Sequence, residues 1–415
     1  MKPLREYTIH IAAAAIITVT AVLVGCSACT PRWYYRFQEQ PTVAENTDTK
    51  TDTDEREGIS CSYGYDSLSD RLREAYRVFA DYVQRDYSER FTVALDNENE
   101  IENVLEAYEQ DHPEVFWLNN SSRYEYAPNG DVFEVALSFS FEGENLREAK
   151  QQLADRIEDI FEAAPEDASD YEMELFLNKQ IISYCEYDKD GPQRHNAYGA
   201  LIQGRAVCDG YSKAFQTLCL RAGIECVEVE GTASEFNSEV DGEEGDGHMW
   251  NCVKLGGDWY HVDVTWNDGE PHIQQYVFLN LSTEEIEKTH VIAPLYGEAD
   301  PGDNSWLNTF VPECGSMEYN YFHKSCPCLS DLDEDSDVVA ALIEAAKNRE
   351  LYLDILVDDK LDYEETAKAI SESYGYRWLE AANHFNGDDP KILEDSKYYV
   401  YEQTPVITFC LNYDD

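Results

Sequence analysis

Three residues in the middle of the chain, Cys208, His248 and Asp263, are of the types that carry out acyl-transfer chemistry. A cysteine thiolate attacks a carbonyl carbon, a histidine accepts and returns the proton, and a carboxylate orients the imidazole. Forty residues separate the cysteine from the histidine, and fifteen separate the histidine from the aspartate. We therefore predict a catalytic triad of Cys208 as nucleophile, His248 as base and Asp263 as orienting carboxylate.

The residues after Cys208 predict a helix whose first turn contains the cysteine. Apolar side chains recur there at helical spacing before Gly223 offers a stop, at Tyr211, Phe215, Leu218, Cys219 and Ala222. Unpaired amides and the helix dipole favour an anion in a first helical turn, so this position favours the thiolate. Gly204 permits a turn before the helix, and backbone amides there can face a developing oxyanion.

His248 and Asp263 fall on a predicted β-hairpin formed by 248–255 and 258–266. Both segments are rich in Trp, Tyr, Val and Thr, and a Gly-Gly pair separates them as a turn. A two-residue turn pairs Lys254 with Trp259 and His248 with Thr265. Since side chains alternate along a strand, His248 and Asp263 then share one face as diagonal neighbours.

Three sequence blocks resemble those of the transglutaminase-like superfamily. They are Val-Cys-Asp-Gly-Tyr at 207–211, His-Met-Trp-Asn at 248–251 and Trp-Tyr-His-Val-Asp-Val-Thr-Trp at 259–266. The similarity extends upstream to a predicted helix at 171–186, and downstream to 276–280 and His290. The resemblance covers roughly 171–285 and implies an α+β fold with a papain-like core, in which a helix-borne cysteine packs against an antiparallel sheet.

The resemblance assigns the same three roles to Cys208, His248 and Asp263, but it leaves the reaction open. Members of the superfamily include protein cross-linking enzymes, peptidases, amidases and proteins without demonstrated activity. We predict a thioester intermediate that water resolves, because water at ~55 M competes strongly with amines. A catalytically silent surface binding or scaffolding protein is the alternative. The chemistry requires no metal or organic cofactor.

Several other residues could be mistaken for functional ones. His261 shares a predicted strand face with Asp263 and competes with His248 as the base, although His248 carries the motif. We expect Trp250 and Trp266 to pack rather than to bind substrate. His112 lies beside a proline and large apolar side chains, so we expect a structural role for it.

The N-terminus predicts export and lipid attachment. A positively charged start is followed by the apolar segment 9–24, and Leu-Val-Gly-Cys at 23–26 resembles a bacterial lipobox. We therefore expect a signal peptide at 1–25, a lipid on Cys26 and an acidic, Thr-rich disordered tether at 26–60. An uncleaved anchor helix is the alternative, although the apolar segment is short for a membrane span. Either arrangement places the protein on the outer face of a membrane, with proteins or peptides as substrates.

The charge of the chain limits its partners. Eighty-four acidic and 31 basic residues give a formal net charge of -53. Such a chain is repelled by nucleic acids and anionic surfaces, so we expect no nucleic-acid partner.

The twelve cysteines do not form a dense disulfide pattern. We expect Cys185, Cys219 and Cys252 to be buried thiols. Cys314 with Cys326 or Cys328 is the best disulfide candidate. Zinc is a weaker option because no paired C-x-x-C blocks occur.

The regions beside the core (171–285) are predicted as smaller α+β units. For the N-terminal region, 61–170, we predict helices at 67–84, 100–110 and 144–163 and strands at 90–95, 122–127 and 131–141. A loop-rich connector at 286–330 follows the core. For the C-terminal region, 331–415, we predict helices at 335–347 and 363–374 and strands at 350–357, 396–402 and 405–412.

Overall fold

The computed structural model describes residues 60–85, 91–118, 123–126, 133–234, 246–269, 273–296, 307–332, 336–387, 390–393, 396–401 and 404–413. The described chain divides into two units. The first contains the residues up to Thr265 together with Ser282–Gly315, and the second contains Trp266–Leu281 and the residues from Ser316 onward. The predicted signal peptide, the lipidation residue Cys26 and almost all of the predicted tether lie outside the described residues.

The N-terminal part of the first unit is helical, with a small sheet. The helices are α1 (Tyr63–Ser67), α2 (Asp70–Gln84), α3 (Glu98–Asp111) and α4 (Gly143–Glu162), and the strands are β1 (Phe91–Val93), β2 (Arg123–Tyr126) and β3 (Phe133–Ala136). The strands form an antiparallel sheet in the order β1-β3-β2. Three of these helices lie close to the predicted ranges, and α1 has no predicted counterpart. The strands β1 and β3 end earlier than predicted, whereas the predicted ends of β2 lie outside the described residues.

The core is built from one buried helix and a four-stranded antiparallel sheet. Its elements are α5 (Asp170–Tyr184), β4 (Glu186–Tyr187), β5 (Arg205–Ala206), α6 (Cys208–Arg221), β6 (Cys226–Ala233), β7 (Asp246–Leu255) and β8 (Asp258–Val262), followed by α7 (Val264–Asn267), α8 (Gln274–Val277), α9 (Thr283–Ile286) and β9 (His290–Ile292). The strands lie in the order β8-β7-β6-β9. Ser169 and Glu172 close a capping box that fixes the start of α5.

Hydrogen bonds attach α6 to the middle of the sheet. The Ser212 hydroxyl donates to the Trp250 carbonyl oxygen at 3.1 Å, and the Asn251 amide donates to the Ser212 carbonyl oxygen at 3.2 Å. The helix ends before Gly223, whose φ of 79° is one that glycine adopts readily. The predicted packing of a cysteine-bearing helix against an antiparallel sheet is therefore confirmed.

The predicted hairpin is correct at its turn and wrong at its far end. Lys254 pairs with Trp259 across Gly256 and Gly257, as expected. However, β8 ends at Val262 and α7 begins at Val264, so His248 has no partner on β8. His248 instead pairs with Gly231 of β6.

The second unit contains a mixed sheet covered by helices. Its remaining elements are α10 (Tyr321–Ser325), β10 (Cys328–Leu329), α11 (Ser336–Lys347), β11 (Tyr352–Val357), α12 (Tyr363–Ala369), α13 (Gly375–Asn386), β12 (Lys397–Val400) and β13 (Val406–Cys410), with a π-helical turn at Ile370–Tyr374. The sheet order is β10-β11-β13-β12. Ile407, Phe409 and Leu411 are buried together, which confirms the predicted covered face. The second helical segment continues to Asn386, beyond the predicted end at 374.

The described cysteines are all free thiols. Cys185, Cys219 and Cys252 are buried, as predicted. The disulfide expected between Cys314 and Cys326 or Cys328 is wrong, because the sulfur placed beside Cys314 is that of Cys252, at 3.7 Å. Within the described part of the chain, no helix has the length and apolar composition needed to cross a membrane.

Candidate active site

Cys208 is the first residue of α6 and is partly exposed. Val207 before it is extended, with φ of -106° and ψ of -176°, so the chain turns sharply into the helix at the cysteine. Gly210 makes this close entry possible, since a Cβ there would lie 2.4 Å from the Arg194 carbonyl oxygen. Cys208 is thus held where the free amides of the helix start favour an anion.

His248 lies on β7 and is 7% exposed. Its Nε2 atom is 2.6 Å from Oδ2 of Asp263. The imidazole also makes a hydrogen bond with the Cys208 thiol. Because Nε2 is occupied by the carboxylate, Nδ1 is the ring nitrogen that serves the thiol.

Asp263 lies between the end of β8 and the start of α7, and its side chain is completely buried. The carboxylate has a second imidazole partner besides His248. Nε2 of His290, on β9, is 3.0 Å from the same Oδ2 atom. Nδ1 of His290 is 2.8 Å from the Thr289 hydroxyl oxygen. One buried carboxylate therefore holds two histidines from two different strands.

The ionisable side chains of Asp263, His248 and His290 strongly influence one another's pKa values. Burial opposes the charge of His248, but the charge and hydrogen bond of Asp263, helped by Cys208, raise the pKa of His248 to about 10. Burial also opposes ionisation of Asp263, yet His248 and then His290 hold the pKa of this carboxyl well below its usual range. Burial, together with the charge of His248, lowers the pKa of His290. These effects favour a charged His248 and an ionised Asp263, whereas they oppose a charge on His290.

The structure brings the three predicted residues together and adds His290, for which the sequence predicts no role. His290 was noted only as part of the family resemblance. Its contact with Asp263 depends on the pairing of β9 with β6, which joins residues about sixty positions apart. No local pattern encodes that pairing.

The other candidate residues, His261 and Trp250, lie outside the Cys208–His248–Asp263 site. His261 is buried and contacts Trp250, Cys252 and Thr283 through its two ring nitrogens. It therefore lies in a different hydrogen-bond network from the His248–Asp263 pair. Trp250 is 1% exposed and packs edge-on against the ring of His290 at 4.9 Å, in agreement with a packing role.

His112 and Trp266 also make packing contacts. The His112 ring lies 4.4 Å from that of Tyr108. The Trp266 ring meets Phe278 edge-on at 5.0 Å.

His248, Asp263 and His290 place their possible ligand atoms within 4.8 Å of one another, as residues that bind a metal do. Both imidazoles nevertheless contact Asp263 Oδ2 directly, at 2.6 and 3.0 Å. These are hydrogen-bond distances and leave no room for an ion between the atoms. The arrangement is better suited to acid–base chemistry than to metal binding.

The chain contains a transglutaminase-like core domain. Residues 156–264 match the model of the transglutaminase-like superfamily, and the α+β core described above has the corresponding fold. This match supports a cysteine-type hydrolase or transferase, in a superfamily that also has inactive members.

Among curated proteins, the chain is similar to kyphoscoliosis peptidase of Mus musculus, with 29% identity over 190 residues. The match covers 42% of this chain and 27% of the mouse protein, so the chain spans about a quarter of that relative's length. Two solved structures also show similarity. A Cytophaga hutchinsonii protein assigned as a cysteine protease has a TM-score of 0.23 and 14% identity, over 32% of this chain and 52% of that one. A TGase has a TM-score of 0.25 and 12% identity, over 43% of this chain and 50% of that one.

Proposed function

We propose that this protein is a cysteine hydrolase that cleaves peptide bonds or glutamine carboxamides through a thioester on Cys208. The observation that carries the proposal is the position of His248, which is hydrogen-bonded both to the Cys208 thiol and to the buried carboxylate of Asp263, contacts that raise its pKa. A surface ion pair would be screened by water, whereas this pair is almost fully buried. Such an arrangement provides the charge needed to keep a thiolate ready for attack.

The proposed reaction has two halves. The Cys208 thiolate attacks the carbonyl carbon, and His248 gives its proton to the departing amine or ammonia, which leaves a thioester. His248 then accepts a proton from water as the water attacks the thioester. The carboxylic acid product is released, and the Cys208 thiolate and the charged His248 are regenerated. Asp263 keeps Nδ1 of His248 directed at the reacting atoms throughout.

Water is the preferred acceptor in this proposal, and an amine is the less favoured one. An amine competes with water at ~55 M only where the protein binds the amine or excludes water. A thioester forms here from a peptide bond or a glutamine carboxamide, so the proposed substrates are proteins or peptides.

The second candidate is a binding protein whose core does not turn over substrate. The observation that favours it is the burial of the site, because His248 is 7% exposed and Asp263 is fully buried.

We further propose that the protein works on the outer face of a membrane, attached through a lipid on Cys26. The support is the lipobox-like sequence at 23–26 after an apolar segment. The net charge of -53 is the reason that we propose protein or peptide partners and no nucleic acid. The proposed chemistry uses protein side chains and needs no cofactor.

Turnover tests the proposal directly. The protein is incubated with glutamine-containing peptides, with and without a fluorescent primary amine, and the products are read by mass spectrometry. We expect cleaved or deamidated peptides, an acyl adduct on Cys208 after rapid acid quenching, and little amine incorporation. Cys208→Ala should abolish all of these, whereas Cys328→Ala, which removes an exposed thiol of β10, should change none.

Two results would decide against hydrolysis. Amine incorporation that exceeds hydrolysis would assign the protein as a transferase. Peptide binding without an acyl adduct or turnover would support the silent binding protein.

A further inference from the structure

Two cysteines outside the candidate active site lie in direct contact. Cys252 is on β7 and Cys314 is in the segment that follows β9, and their sulfur atoms are 3.7 Å apart. They are separated by 62 residues in sequence. Both are almost fully buried, with exposures of 0% and 2%. The contact lies inside a cluster of apolar residues of the first unit that also contains Trp250 and Val229.

The hydrogen bonds of the neighbouring His261 indicate where the thiol proton of Cys252 lies. The Trp250 indole can only donate a hydrogen bond, and its nitrogen is 3.1 Å from Nδ1 of His261. Nδ1 is therefore an acceptor, and the ring proton lies on Nε2, facing the Thr283 hydroxyl. The Cys252 sulfur is also 3.1 Å from Nδ1, but the lone pair of that nitrogen already accepts the Trp250 N–H, so the Cys252 thiol proton is available to the Cys314 sulfur.

The same geometry argues against a metal at these residues. Cys252, His261 and Cys314 place three possible ligand atoms within 4.8 Å of one another. A ligating Nδ1 must give its lone pair to the ion, but here that lone pair accepts the Trp250 N–H. A structural zinc site would also require a fourth ligand.

We propose that Cys252 and Cys314 form a disulfide bond when the protein folds in an oxidising environment. Bonded sulfurs lie about 2.05 Å apart, so rotation about the side-chain bonds must close the present separation. The bond would join the strand that carries His248 to the segment that follows the strand of His290. It is independent of catalysis by Cys208.

The reaction is an exchange with an external disulfide, such as oxidised glutathione. One thiolate of the pair attacks a glutathione sulfur, which forms a mixed disulfide and releases one glutathione thiolate. The second cysteine then attacks the mixed disulfide, which forms the Cys252–Cys314 bond and releases the second glutathione. The two cysteines lose two electrons and two protons, and the external disulfide is reduced to two thiols.

The contact between the two cysteines favours Cys314 as the attacking thiolate. The hydrogen bond from Cys252 lowers the pKa of Cys314 to about 6, whereas burial holds the pKa of Cys252 well above its usual range. A shared proton between two thiols of this kind leaves one sulfur nucleophilic near neutral pH. Since both sulfurs are buried in the folded chain, the exchange takes place during folding or when the segment around Cys314 opens.

Peptide mapping tests the proposal. The full chain is produced by secretion into an oxidising compartment, and a second sample is reduced, unfolded and refolded in a glutathione redox buffer. Both are unfolded in N-ethylmaleimide and digested without reductant. We expect most molecules to contain the Cys252 and Cys314 peptides as one linked species, lighter by two hydrogen atoms than the separate thiol peptides.

Variants distinguish this bond from other pairings. Cys314→Ser should leave Cys252 as an N-ethylmaleimide adduct, and Cys252→Ser should do the same for Cys314. Cys328→Ser should leave the linked peptide unchanged. Complete alkylation of both cysteines in the secreted protein, or a link from either one to a different cysteine, would overturn the proposal. So would protection of both thiols by a metal ion that elemental analysis finds at one per chain.

Discussion

The clearest test of the site is to remove the charge of Asp263 while keeping its shape, in Asp263→Asn. In the folded protein, the pKa of His248 rises from 6.5 to about 10. This difference corresponds to roughly 5 kcal/mol of preference for the charged imidazole, at about 1.36 kcal/mol for each tenfold change. Asparagine supplies no charge, and burial then favours neutral His248, so Cys208 loses the cation beside it.

The rate of alkylation of Cys208 by iodoacetamide measures this loss. In the wild type, the charged imidazole beside Cys208 should favour the thiolate and keep labelling fast. If half of the 5 kcal/mol acts on the thiolate–imidazolium pair, the rate at about pH 6 falls roughly 70-fold in Asp263→Asn. Labelling is read by peptide mass spectrometry, so that Cys208 is distinguished from the other cysteines.

The matched control is Asp258→Asn, which removes an exposed aspartate at the start of β8. It should leave the rate of Cys208 labelling and its pH dependence unchanged. Circular dichroism and urea unfolding establish that both variants are folded. A folded Asp263→Asn protein that keeps the wild-type pH profile would refute the reasoning, because Cys208 would then not depend on the charged His248.

Three further predictions concern the same region. His290→Ala removes one hydrogen bond to the buried Asp263, and should lower the free energy of unfolding by about 1–3 kcal/mol in urea denaturation, with partial recovery in His290→Gln. Because the pKa of His248 is higher in the folded protein than in the unfolded one, its stabilising contribution is complete below pH 6.5 and disappears as the pH rises through about 10. The free energy of unfolding should fall by roughly 3 kcal/mol more in the wild type than in His248→Ala between pH 6.5 and about pH 9; equal slopes would contradict this. Gly210→Ala places a Cβ 2.4 Å from a backbone carbonyl oxygen and should cost about 1–3 kcal/mol or more in urea, whereas Gly315→Ala, which meets open space, should be neutral.

The parts of the site that the sequence predicted are those with local signals. The helix after Cys208 shows in its apolar spacing, and the Gly-Gly turn fixes the pairing of Lys254 with Trp259. Both depend on residues close to one another in sequence. The functional roles came from motif blocks, because neither periodicity nor composition distinguishes a catalytic histidine from a buried one.

The features that the sequence does not predict depend on contacts between segments that are distant in sequence. The central strand β6 alternates valines with Glu228 and Glu230, and we made no prediction there. Glu228 is nevertheless buried, which raises its pKa to about 8 despite the nearby Lys213. The true position of Asp263, just beyond β8 rather than on it, follows from the start of α7 at Val264. The strand-like residue pattern continues to 266, so the strand predicted from it is longer than β8, which ends at Val262.

The position of His290 on β9 has a consequence for how the site comes apart. This edge strand joins the sheet through only three residue pairs with β6. Short edge segments are the first to open in native-state fluctuations, well below the energy of global unfolding. When β9 detaches, His290 leaves the carboxylate, while His248 and Asp263 remain joined across β7 and the end of β8. Amide hydrogen exchange at 290–292 should therefore be faster than at the centre of β7, and one histidine should be lost from the site before the other.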